Sequence, residues 1–153
     1  MGKIKWCFLR GGVRLVAPNE NISKAYLDQA EMTLSKIKKL IEEEDFLWAS
    51  VRIYYCAYYS LYSFLQRVGV KSENHDCSIE IVKTLIARDF VKDIDFFKKE
   101  RVDSQYYLRF GQKSKLLDMY GKVKNFYFEF REIVEKLDEG GVLEMREKLG
   151  ELS

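Results

Sequence analysis

Apolar residues return every three or four positions along most of this chain, the period of helices that bury one face. Ile22, Tyr26, Leu27, Ala30, Leu34, Ile37, Leu40 and Ile41 form one such stripe, with Lys36, Lys38 and Lys39 opposite. This predicts a first long helix over Ile22–Glu43, introduced by Pro18 and by Asn19 and Asn21 as caps. Asp45 can cap a second helix over Phe46–Val68, which Gly69 ends. Trp48, Tyr54, Tyr55, Tyr58, Tyr59, Tyr62 and Phe64 make that segment apolar almost all round. Such a helix buries more than one face, as the centre of a bundle or as part of a dimer interface.

Three further helices follow from the same period: Asp76–Ala87, Lys92–Phe110 and Ser114–Leu137. The pair Gly140-Gly141 should break the last of them. A short amphipathic helix over residues 142–150 then carries Val142, Met145 and Leu149. At the other end, two short apolar runs flank Gly11-Gly12 within Lys3–Val16, which reads as a β-hairpin. The expected fold is all-α: one domain with an up-and-down bundle of about five helices over residues 22–137 and a short N-terminal hairpin over residues 3–16. Internal repeats, linkers and low-complexity segments are absent.

Charge changes this picture little. Lys and Arg number 26 against 24 Asp and Glu, a formal net charge of +2, so the chain has no global basic field. The single Pro and abundant Lys and Glu suit long helices, and they are also a weak thermophile signature. Cys7, Cys56 and Cys77 are odd in number and widely spaced, which argues against a disulfide framework. Cys56 lies in an apolar run and should be buried. No metal-ligand spacing, phosphate loop or nucleophile elbow occurs, so neither cofactor nor metal is expected. No apolar run approaches the length of a membrane span, and a reduced, cytoplasmic protein is expected.

Polar groups cluster in Arg101-Val-Asp-Ser-Gln-Tyr-Tyr107. Arg101 can fork onto a phosphate, and Asp103 can orient it or accept a proton. Tyr106 and Tyr107 can stack on bases or act as hydroxyl nucleophiles. At about 100° per residue Arg101 shares a face with Gln105, whereas Tyr106 lies about 140° away. Joining Arg101 to Tyr106 therefore needs a bent helix or a second subunit. The plainer alternative is a core tyrosine pair beside an Arg101–Asp103 ion pair. His75, the only histidine, precedes the third helix; it is either structural or an acid–base group beside Arg101. Arg52, amid the aromatics, either snorkels to solvent or lines a pocket.

The run Trp48-Ala-Ser-Val-Arg-Ile-Tyr-Tyr-Cys-Ala-Tyr-Tyr-Ser-Leu-Tyr62 resembles the second helix of HEPN-domain proteins. The stretch Gly69–Asp76, with its histidine, and Arg101–Tyr107 are similar to that family too. Lys5-Trp6-Cys7, Gly12 and Pro18-Asn-Glu-Asn21 resemble an archaeal branch of it. The resemblance implies a four- or five-helix bundle that commonly forms homodimers. Many members are metal-independent ribonucleases of toxin–antitoxin or defence systems. Their motif is an Arg followed four to six residues later by His. Some are paired with minimal nucleotidyltransferases, which can adenylylate a nearby Tyr. Here Arg101 matches the Arg, but the position five residues on is Tyr106.

By that resemblance, Arg101, Asp103, Gln105, Tyr106 and Tyr107 would bind a nucleotide or RNA, and Arg101, Tyr106 and His75 would carry any catalysis. Three readings stay open. The first is a nucleotide- or RNA-binding, toxin-like partner of a nucleotidyltransferase with a degenerate nuclease motif. The others are an active metal-independent endoribonuclease and a purely structural dimeric helical protein.

Overall fold

The computed structural model describes all 153 residues. In chain order its elements are α1 (Lys3–Arg10), β1 (Val13–Leu15), α2 (Glu20–Glu42), α3 (Phe46–Val68), β2 (Val70–Ser72), α4 (His75–Leu85), α5 (Asp93–Tyr107), α6 (Lys113–Lys136) and α7 (Glu139–Leu152). A 3₁₀ turn, Asp89–Lys92, leads into α5. The helical bundle expected from periodicity is present. Asn19 caps α2 by accepting from the Ile22 amide, and Asp45 caps α3 by accepting from the Trp48 amide. Only three residues join α2 to α3, so the two lie antiparallel.

Helix α3 is the axis of the molecule. It packs against α2, α5 and α6, and Ile53, Tyr54, Cys56, Ala57, Leu61, Phe64 and Leu65 have no exposed surface. From α6, Phe126 and Phe130 meet Phe90, Phe97 and Phe64 edge-on or tilted, with ring centroids 5.0–6.3 Å apart.

The N-terminal segment corrects two expectations. An antiparallel strand pair is present, but Lys3–Arg10 is helical, and β1 pairs with β2 in the register Val13↔Ser72 to Leu15↔Val70. Gly11 caps α1 and is not a hairpin turn: its amide donates to the Cys7 carbonyl at 2.9 Å. A Cβ there would lie 2.7 Å from the Cys7 Cα and 2.9 Å from the Cys77 Sγ. That crowding comes from the second correction, a Cys7–Cys77 disulfide that ties α1 to the first turn of α4. Their separation of 70 residues hid the pair from sequence reasoning. Cys56 is the free, buried cysteine that was expected.

At the other end, α6 stops at Lys136 and the Gly140-Gly141 pair lies inside the first turn of α7. The Asp138 carboxylate caps that turn, accepting from the Gly141 amide at 2.8 Å, so a side-chain cap offsets the poor helix propensity of glycine. Arg146 of α7 then donates to the carbonyls of Val16, Val68 and Gly69, closing the bundle over the α3–β2 turn. No helix is long and apolar enough to cross a membrane.

Candidate functional site

Three tyrosines one helical turn apart on α3 build the wall of the site. The Tyr62 hydroxyl donates to the Ser72 carbonyl at 3.1 Å and accepts from its amide. Next along, the Tyr58 hydroxyl donates to Ser78 Oγ at 3.0 Å. The Tyr54 hydroxyl lies 2.9 Å from His75 Nδ1. Together they pin the segment from β2 into α4, where Asn74 caps α4 by accepting from the Cys77 amide. His75 is held as the first residue of that helix, stacked on Tyr58 with centroids 3.8 Å apart.

Arg101 arrives from α5 onto the Tyr54 ring. Its guanidinium carbon lies 4.7 Å from the Tyr54 ring centroid and 5.8 Å from that of Tyr55, in cation–π geometry. The expected partner does not take it up, because Asp103 binds Lys99 at 3.0 Å. Arg101 has no carboxylate partner at all, and its Nε is buried without any hydrogen-bond acceptor. A half-buried guanidinium held only by aromatic faces is an unbalanced charge, which an anion would complete.

The electrostatics follow from this packing. Burial lowers the His75 pKa from its ordinary value; the positive charges of Arg101 and Lys98 add to the effect and Asp76 opposes it. His75 is therefore neutral near pH 7. Burial pushes the Tyr54 hydroxyl well above the usual tyrosine range, with Arg101 opposing, so it stays protonated. Nδ1 of His75 is the hydrogen-bond partner of that buried hydroxyl, so one contact fixes the imidazole against α3. Asp76 is held below its ordinary value, first by its hydrogen bond from Lys98.

The fold thus brings both His75 and Arg101 against Tyr54, a meeting that spacing left open. It does not bring in Tyr106. That residue and Tyr107 lie in the last turn of α5, 65% and 63% exposed, and neither is a core tyrosine. Gln105 is exposed too, and Arg109 stacks on Tyr107. Leu108 leaves the helix in the left-handed conformation at φ 52°, and Phe110 is half-exposed. Residues 105–110 therefore form an exposed aromatic and polar rim next to the half-buried Arg101.

Tyr54 and Tyr58 are the members that sequence reasoning missed, since their spacing reads equally well as core. No group of three or more His, Cys, Asp or Glu side chains is placed to hold a metal. No curated protein and no solved structure matches the chain. The sequence model of the HEPN domain matches residues 23–137, three quarters of the chain.

Proposed function

The chain belongs to the HEPN domain family, and from that premise we propose that it is a nucleotide- or RNA-binding module whose anion site is Arg101. The observation that carries this reading is the Arg101 guanidinium, seated on Tyr54 and Tyr55 without an acidic partner and with Nε unsatisfied. A phosphate oxygen supplies what it lacks. Gln105, Tyr106 and Tyr107 offer amide contacts and stacking faces at the rim, and Asp103 keeps Lys99 beside them. Family membership supports a toxin-like role beside a nucleotidyltransferase. The exposed Tyr106, Tyr107, Leu108 and Phe110 support a homodimer, and with it a composite site that Tyr106 enters from the second copy. A cytoplasmic setting suits the Lys- and Glu-rich composition; the Cys7–Cys77 disulfide is the observation against it, outside hyperthermophiles.

One observation favours a second reading, a metal-independent endoribonuclease: a neutral His75 and Arg101 both contact Tyr54. Arg101 would then stabilise charge developing on the phosphate while His75 took the proton of an attacking 2′-hydroxyl. His75, however, is half-buried, stacked on Tyr58 and tied through Nδ1 to the Tyr54 hydroxyl, and the position five residues after Arg101 is Tyr106. That supports binding over cleavage. Labelled RNA incubated with wild-type protein, Arg101→Ala and Tyr106→Phe separates the two. We expect binding without cleavage, weakened about tenfold or more by Arg101→Ala, the scale of one charge-assisted contact. Cleavage that disappears with Arg101 would replace this reading by the nuclease, and binding indifferent to Arg101 would end it.

A further inference from the structure

Away from the tyrosine–histidine wall, α3 presents a second stripe. Trp48, Arg52, Tyr55 and Tyr59 follow each other at helical spacing, and all four keep part of their surface in solvent. On one bank of this stripe stands α2, whose Tyr26 packs against Tyr59 with centroids 6.1 Å apart. Farther along the same bank, Lys36 and Lys39 stand over Arg52, around a groove of about 400 Å³ completed by Ser35, Leu40 and Glu43. On the opposite bank Arg101 reaches in from α5 over Tyr55. Arg52 and Tyr55 are three residues apart, about 4.5 Å of helical rise, so the cations of the two banks attend adjacent positions on one aromatic floor.

We propose that this stripe, with the groove at its Arg52 end, is a track for single-stranded nucleic acid, with Lys36, Lys39 and Arg52 forming a second phosphate subsite beside that of Arg101. The inference rests on the Arg101 reading and extends it from one phosphate to a strand. Cations along both banks with aromatic faces between them are what a backbone with unstacked bases requires. The floor from Trp48 to Tyr59 covers about 16 Å of helix, room for a few nucleotides. Glu43 is the only acid in the groove, and it lies 3.8 Å from Lys39, so the lining keeps a net positive charge. Arg52 forms no ion pair, and so it is free to contact phosphate.

Fluorescence anisotropy with a labelled oligouridylate dinucleotide and octanucleotide tests this. The variants are Arg101→Ala and the triple change Lys36→Ala, Lys39→Ala, Arg52→Gln. The octanucleotide should bind more tightly than the dinucleotide. The triple change should bring it down to the dinucleotide's affinity while sparing the dinucleotide, and should flatten the salt dependence by about 0.7 in log–log slope per lost phosphate contact. Arg101→Ala should weaken both probes. If Arg101→Ala weakens both and the triple change alters neither, the track is wrong and the Arg101 site stands. If Arg101→Ala has no effect, the Arg101 reading falls, and the track falls with it. Polyglutamate competing as well as the octanucleotide would overturn the track in favour of an acidic protein partner. Should the triple variant not fold, the exposed pair Lys36→Ala and Lys39→Ala carries the same comparison, expected at a smaller loss.

Discussion

His75 shows how much one residue's neighbours decide. Sequence places it before a helix and says nothing about its charge. The structure half-buries it against Tyr54 and Tyr58 and sets Arg101 and Lys98 nearby; the burial and both charges disfavour the imidazolium, with only Asp76 favouring it. A histidine with a depressed folded pKa leaves the unfolded chain holding more protons over the interval between the two values. Stability from this group is then complete above pH 6.5, the unfolded value, and is lost as pH falls through that interval. Because the chain has one histidine, thermal melts between neutral and mildly acidic pH isolate the effect. We expect wild-type protein to lose stability on mild acidification and His75→Gln to lose less; parallel curves would refute the assignment. Gly69 illustrates a different constraint. It sits at φ 88°, and a Cβ there would meet the Val16 carbonyl at 2.4 Å. Gly69→Ala should therefore cost about 2 kcal/mol or more in denaturant unfolding.

At the scale of elements, α3 divides into faces with different duties, and substitutions should report the division. Leu61 is fully buried, and Leu61→Ala should cost about 3 kcal/mol. Trp48, on the solvent stripe, is 50% exposed, and Trp48→Ala should change stability far less while weakening octanucleotide binding. Equal destabilisation by the two would contradict the face assignment. The long helices were legible because their apolar period and their caps, Asn19 and Asp45, agree. Residues 3–10 were not, since an eight-residue helix carries little signal of its own and is fixed by packing on α4 and by Cys77. For the site, Arg101 and His75 were legible as residues but not as neighbours. Their meeting depends on Tyr54, whose spacing on α3 looked like ordinary core. The acid missing beside Arg101 could not be foreseen from a sequence that places Asp103 two positions away.

For the whole molecule, the strand pair β1–β2 ties the N-terminal segment to the bundle by hydrogen bonds and the Cys7–Cys77 bond ties it covalently. A bond across 70 residues restrains the unfolded chain, and by loop-closure entropy the change Cys7→Ser with Cys77→Ser should lower stability by about 4 kcal/mol. Both sulfurs are buried, so reductant should act slowly on the folded protein and quickly on the denatured one. The bond lies two residues from His75, and its loss should also loosen the wall of the site. The loop it closes contains all of α2 and α3, and with them the aromatic floor and all three cations of the second subsite. Under a stretching force applied to the two chain ends, this enclosed length is locked: while the bond holds, a single-molecule extension trace should fall short of the reduced chain's by roughly 250 Å, at about 3.6 Å per residue.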